Sequence, residues 1–361
     1  MDTTTDMGPI LADQLGRLCA QFAAGAPAHD ADGMAEGLWA EIASAGFQNA
    51  LLPEEHGGYG VTPAQAMGLV RAAARLALPV PLAETMMALG LHAAAGGQAL
   101  EGALSWSCEA GHADEARGEL RVAARARAVP YGRFAAHVLV PVLCNGRLHL
   151  APLPVAQARV EPGGNLAGEP RDTLSWTGVL VHRSAAPQIG DDGIESLQVA
   201  GAFLRAQQMV GAMQRALAHA VGHAQERKQF GQPIGRFQAV QQQLAVAAGH
   251  LAAATAAADA AAEAYGSASF GFASAVAKSR VGEAAGILAA TCHQVLGAMG
   301  FTREHELQKV TRRLWAWRDE YGNETLWQER IGRSICAAGG ASLWQTVVAG
   351  FPPDNRENRH G

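Results

Sequence analysis

The chain has 361 residues, 49 % hydrophobic and 17 % charged, with a mean hydropathy of +0.01. That length exceeds what one hydrophobic core serves, so two or three packed units are expected. A net charge of −5 and a pI of about 6.2 exclude a global field that draws nucleic acid or anionic membrane, while leaving room for a local basic patch. Cys19, Cys108, Cys144, Cys292 and Cys336 are scattered and form no Cys-x-x-Cys. This argues against a disulfide framework or a zinc site and fits a reducing cytoplasm. The acidic start, MDTTTDMGPILADQ, lacks the basic-then-apolar pattern of a leader, and no apolar run reads as a membrane span. A cytoplasmic location is expected.

Residues 11–102 carry a helical pattern. Leu38, Trp39 and Ile42 recur at helix spacing, Ala45-Gly46 ends that helix, and the Pro- and Gly-rich loop LLPEEHGGYGVTP follows. From 103 to 190 the texture changes to strand-like alternation in 120–128, 137–142, 147–151 and 174–182, with Asn145-Gly146 as a hairpin turn between two of them. Residues 191–361 return to helix. One long helix is predicted over 194–225, an alanine-saturated one over 239–265 and a third over 274–299. A fourth ends at Ala338 and begins either near Leu307 or at Asn323. The predicted fold is α+β and mainly α. It has an N-terminal helical domain (1–102), a small antiparallel β domain (103–190) and a C-terminal four-helix bundle (191–361) carrying a cofactor and oligomer interface.

The densest chemistry lies in 226–245, ERKQFGQPIGRFQAVQQQLA. It reads as a helix end, a corner shaped by Gly and Pro, and a new helix. Arg227 offers a planar fork of donors suited to a diphosphate. As a lone residue it reads first as a charge that complements a helix C-terminus, worth roughly 0.3–1 kcal/mol, and the full string reverses that preference. Gln229 and Gln238 offer uncharged hydrogen bonds to a heterocycle or ribityl chain. A second element, QVLGAMGFTREHEL (294–307), places Gly297 and Gly300 where a backbone can approach a ligand closely.

The first string resembles the signature of the acyl-CoA dehydrogenase family of flavoproteins. The second resembles that family's Q-x-x-G-G-x-G-[YF]-T segment, with Ala298 in place of a glycine. Gly46-Phe47 and Pro53–Gly60 resemble its N-terminal loop, and the helix–β–helix order matches its layout. The resemblance implies FAD as cofactor and acyl-CoA as substrate. It also implies an electron-transfer flavoprotein as electron acceptor, and a homodimer, tetramer or heterotetramer that shares FAD between subunits. Arg227, Gln229, Phe230, Gln238, Gln294, Gly297 and Gly300 are the implied cofactor residues.

Acyl-CoA dehydrogenation needs a base for the α-proton and a polarised thioester carbonyl. In TRRLWAWRDEYGNETLWQ (311–328), Gly322 matches the family's motif glycine and Tyr321 falls on its catalytic glutamate. A minority of the family carries the base on the preceding long helix, where this chain has Gly201. Glu320 is one residue from the first position, about 100° away if helical, and is the available base. Its alternative is a solvated carboxylate near Arg318. Tyr321 is a poor base near neutral pH. The family's T-E-P-x-x-G-S-D loop is also missing from LSWSCEAGHADEARGELRV (104–122), with Trp106 and Ser107 as remnants, while Trp176 is expected to fill the β core. Two functions follow. The first is α,β-dehydrogenation of an acyl-CoA thioester to a 2,3-enoyl-CoA with Glu320 as base. The alternative is a non-catalytic or half-site partner subunit of a heteromeric acyl-CoA dehydrogenase. Another flavin reaction on the same fold is a third. His305 reads as a surface or supporting residue. Trp315, Trp317 and Trp327 read as core or interface. No His-x-x-x-His is joined by the glutamate of a metalloprotease, and no Gly-x-Gly-x-x-Gly follows a strand.

Overall fold

A computed structural model describes residues 7–25, 33–302, 304–340 and 343–349. The chain divides into two compact units. One contains the residues up to Ala73 together with Leu78–Gln198, the other Ala74–Ala77 with the residues from Val199 onward.

The first unit opens with helices α1 (Met7–Gly25), α2 (Glu36–Ser44), α3 (Pro63–Arg75) and α4 (Leu82–Ala94). Gly46, at φ +79°, stops α2 in the left-handed region that a glycine enters without strain. Helix α4 is buried along nearly its whole first two and a half turns, Leu82 to Gly90, so its sequence is apolar without a polar face.

The strands that follow are β1 (Leu104–Trp106), β2 (Gly111–Ala116), β3 (Glu119–Pro130), β4 (His137–Cys144), β5 (Arg147–Pro154), β6 (Arg159–Glu161), β7 (Arg171–His182) and β8 (Gln188–Ile189). They form one sheet in the order β6-β7-β3-β2-β4-β5-β8, with β1 on β4. Most pairs are antiparallel, and β4 takes both β1 and β2 in parallel. Asn145 and Gly146 have φ of +49° and +77°, as a two-residue hairpin needs, and they set the register from His137↔Pro154 to Cys144↔Arg147. Alternation in β3 and β7 sends Leu120, Val122, Leu174, Trp176, Val179 and Val181 into one core. Trp176 fills it, as the sequence predicts, and its indole Nε1 donates to the Pro154 carbonyl at 2.9 Å.

Helix α5 (Gly193–Glu226) continues into the second unit. A two-stranded corner follows, β9 (Lys228–Gln229) and β10 (Gln232–Pro233), then α6 (Gln238–Glu263), α7 (Phe270–Leu296), α8 (Leu307–Asp319), α9 (Glu324–Ala338) and α10 (Leu343–Ala349). The two starts left open for the last predicted helix are both used, by α8 and α9. Between them the chain turns through Tyr321 (φ +58°) and Gly322 (φ +101°), and Asn323 Oδ1 accepts from Leu326 N to cap α9. The expectation of no membrane-length helix is corrected. Helix α6 and residues Phe270–Phe301 both reach a mean hydropathy of 1.3 over 18 residues. Alanine raises that index while burying little area, and half of the Phe270–Phe301 window is buried inside the protein.

Candidate functional site

The second unit brings the two sequence motifs together. Arg227 leaves the end of α5, its N–H donating to His223 O, and its own carbonyl accepts from Ile234 N across the corner. The tip of that corner is Phe230, at φ +51° and 91 % exposed, with its ring edge-on to Phe237 at 6.0 Å. A groove of about 340 Å³ is lined by Gln229, Phe230, Phe237 and Gln243 on one side and by Gln294 and Val295 on the other. Residues 65 positions apart in sequence (229 and 294) therefore share one surface. Gln238 opens α6 next to Phe237 and is exposed.

On the far side of Gln294 a second groove, about 460 Å³, is lined by His293, Gly297, Ala298, Phe301 and Trp315. Gly297 ends α7 at φ +61° and ψ −142°, a conformation side chains avoid, with open space where a Cβ would point. Gly300 serves packing instead. A Cβ there would meet Leu296, Leu307 and His293 at 3.1–3.2 Å. Ala298 lies exposed on the groove wall. His305 is half-buried. Its Nδ1 accepts from Leu307 N at the start of α8, and its ring meets His219 edge-on at 5.4 Å.

These residues fit a flavin dinucleotide. The grooves combine exposed aromatic faces, uncharged amides and a glycine cradle, and the exposed guanidinium of Arg227 lies on the corner that bounds the first of them.

The place of the base is different. Positions 201 and 321 are 120 apart in sequence, yet a Cβ on Gly201 would lie 2.2–2.5 Å from the ring of Tyr321. The tyrosine ring occupies the space in front of that glycine. Glu320, the last turn's exit from α8, is not a solvated carboxylate near Arg318. Its Oε2 accepts from Arg205 Nε at 2.6 Å, with the Arg205 side chain fully buried and that of Glu320 18 % exposed. Arg205 Nη1 donates to Gln208 Oε1, and the guanidinium lies over the rings of Trp317 (5.8 Å) and Tyr321 (5.7 Å). Arg318 instead pairs with Glu324 at 2.8 Å, in space left by Gly282 and Gly286 on α7.

Lys278, 1 % exposed on α7, ties the turn down. Its Nζ donates to Arg318 O (2.5 Å) and Gly322 O (2.8 Å), which are carbonyls left over where α8 ends. Burial pushes its pKa down to about 8, against the pull of Glu324 and Glu320. Trp327 Nε1 donates to the carbonyls of Tyr321 and Gly322, both at 3.2 Å. Sequence reading missed Arg205 and Lys278. The available signal was weak, because Arg205 reads as an ordinary helical arginine and Lys278 lies two residues from Arg280.

The described elements, N-terminal helices, a central sheet and C-terminal helices, match the acyl-CoA dehydrogenase fold. Residues 200–336 match the sequence model described as acyl-CoA dehydrogenase, C-terminal domain. Acyl-CoA dehydrogenase IpdE2 of Mycolicibacterium smegmatis is 31 % identical over 147 residues, 40 % of this chain and 45 % of that protein, so this match spans under half of its relative. IpdE2 of Mycobacterium tuberculosis is 29 % identical over 287 residues, 78 % of this chain and 81 % of that protein. The structure of the ChsE4-ChsE5 complex from Mycobacterium tuberculosis superposes with a TM-score of 0.82 at 21 % identity, covering 93 % of this chain and 99 % of that one. Residues 200–336 thus carry the acyl-CoA dehydrogenase C-terminal domain, and the described chain has the fold of acyl-CoA dehydrogenases.

Proposed function

We propose that this chain takes part in FAD-dependent α,β-dehydrogenation of an acyl-CoA thioester to the 2,3-enoyl-CoA, as a partner subunit that holds cofactor while another chain supplies the base. One observation carries the subunit role. The ring of Tyr321 fills the space at Gly201, and Glu320 is bound to buried Arg205. A general base must reach the proton it removes and be able to accept it. Tyr321 has the position without the basicity, and Glu320 has the carboxylate held as an ion pair. That a structural relative is a two-component complex, ChsE4-ChsE5, supports the same reading.

When bound, FAD supplies the acceptor for the hydride that leaves Cβ. This chain's residues bind and orient it. Arg227 would meet diphosphate charge, Gln229 and Gln294 would offer amide hydrogen bonds, Gly297 would admit close approach, and Phe230 and Phe237 would present ring faces along the groove. The proton leaving Cα goes to the carboxylate of the other chain. An electron-transfer flavoprotein would be the electron acceptor, as the family resemblance implies.

The test is anaerobic addition of acyl-CoA to the chain purified alone and to the chain purified with a co-expressed sister subunit. Flavin is expected to bleach only in the second sample, at a rate that Tyr321→Phe leaves within about twofold. Bleaching by the chain alone, abolished in Glu320→Gln, would reverse the assignment and make Glu320 the base.

A further inference from the structure

We propose that His305, together with His219 and His223, forms an acid-sensitive latch that holds the turn before α8 against the end of α5, so that the grip of this region on the cofactor weakens as the imidazoles take up protons. The link to the cofactor rests on the reading of this chain as a holder of FAD, and the latch itself does not. Two segments meet here. His219 and His223 are one turn apart near the end of α5, so they share a face of it. His305 lies in the turn that follows Thr302, and its ring meets that of His219 edge-on at 5.4 Å and 67°. All three side chains are half-buried, and His219 Nε2 has no hydrogen-bond partner among the described residues.

The latch works through one lone pair. Leu307 N–H, in the first turn of α8, donates to His305 Nδ1 at 3.0 Å. An imidazole nitrogen accepts only through a bare lone pair, so the neutral His305 carries its proton on Nε2. A second proton goes to Nδ1. The acceptor then becomes a donor facing a donor, and Leu307 N–H loses its partner at the helix start. The imidazolium also lies at the positive end of the α8 dipole.

The surrounding charges do not compensate that proton. From α5, Arg215 faces His219, while Arg227 and Glu226 face His223. From the turn, Glu306 faces His219, but it is already paired with Lys309 of α8 at 2.8 Å. From α7, His293 faces His305. Arg215, Arg227 and Lys309 thus outnumber Glu226 and Glu306 around the imidazoles, and each proton taken up adds to the positive excess. Burial, and then the like charges beside them, lower the pKa of His219, His223 and His293. With folded values below the ordinary 6.5, stability is lost as pH falls below 6.5, so the latch opens on the acid side.

The latch joins the two sequence strings. Arg227 N–H donates to His223 O, and the turn bearing His305 follows closely on Gly297–Phe301. Opening it frees the corner at Arg227 and the Gly297–Phe301 turn to move apart.

The experiment measures amide hydrogen exchange of the full chain, as purified with its sister subunit, from about pH 7.5 to about pH 5.5, as protection relative to the intrinsic rate at each pH. Protection over 304–312 is expected to fall by about tenfold in wild type, while that of α7 stays within about twofold. In His305→Asn, whose Oδ1 accepts from Leu307 N–H at either pH, the fall over 304–312 is expected to be less than about twofold. His219→Leu, which removes one imidazole from the cluster, is expected to move the fall to lower pH. Wild-type protection within about twofold across the range, a fall that His305→Asn shares in full, or one that α7 shares equally overturns the latch. Flavin retained after gel filtration at each pH is expected to drop in wild type and to hold in His305→Asn, and an equal drop in both overturns the link to the cofactor. If no flavin is bound at any pH, the cofactor reading falls, and exchange alone decides the latch.

Discussion

Replacing Glu320 separates a structural carboxylate from a catalytic one. The Arg205–Glu320 contact is 2.6 Å between nitrogen and oxygen. With charge centres about 4 Å apart and an effective dielectric of about 20, the attraction is roughly 4 kcal/mol before desolvation is counted. Removing one partner of a buried pair leaves the other charge uncompensated, at about 3–5 kcal/mol. Here Glu320 is 18 % exposed, and Arg205 keeps Gln208 and two aromatic faces. Both facts pull the figure to the low end. Glu320→Ala is expected to destabilise the helical unit by about 3 kcal/mol, and Glu320→Gln, which keeps an acceptor for Arg205, by about 1–2 kcal/mol. Urea unfolding followed by far-ultraviolet circular dichroism measures both. In parallel, flavin reduction by acyl-CoA in the complete assembly is expected to be unchanged in Glu320→Gln under conditions where the variant stays folded. A variant of wild-type stability that no longer reduces flavin would refute the argument.

Gly201→Ala drives a methyl into the Tyr321 ring and is expected to destabilise by about 1–3 kcal/mol. Adding Tyr321→Gly, which also relieves the positive φ, is expected to recover much of that loss, and a double-mutant cycle in urea measures the coupling. Lys278 has its folded pKa lowered to about 8 from 10.5, chiefly by burial, so between those values the unfolded chain holds a proton that the folded chain has released. Its contribution therefore makes stability rise with pH across that window, a slope that Lys278→Met is expected to flatten in denaturant midpoints measured from pH 8 upward. His92, His137, His149, His219, His223 and His293 all have lowered pKa values, each chiefly by burial. As pH falls below the ordinary value of 6.5 the unfolded chain takes up protons that the folded chain resists, so Tm is expected to drop on acidification. A flat Tm from pH 7 to pH 5 would contradict these burials.

Much of the architecture was legible because local signals agree with the fold. Asn145-Gly146 fixed a hairpin, the alternation of Leu174 to His182 fixed a strand, and apolar spacing traced α5 to within one residue at either end. The resemblance named Gln229 and Gln294 as cofactor residues, and the structure adds that the two line one groove. What escaped was orientation. Helix α6 is alanine on every side, so its sequence has no face from which to read burial. Arg205 looked like any helical arginine, and only packing reveals it wholly inside with Glu320 as its counter-charge. Gly322 and Asn323 carried both a stop and a start signal, but whether one helix or two met there depended on Lys278 and Trp327 holding the turn from other elements. Trp315 stacks on His293 across 22 positions and around a corner, beyond the reach of any periodicity.

The pairing of Gly201 with Tyr321 also bears on reversibility. A carboxylate introduced at 201 has no room until the tyrosine ring leaves, and one introduced at 321 enters beside the Arg205 guanidinium already matched to Glu320. Each single carboxylate substitution at this pair is thus worse than staying put. The two positions hold each other in place, so neither can change in size or charge without the other.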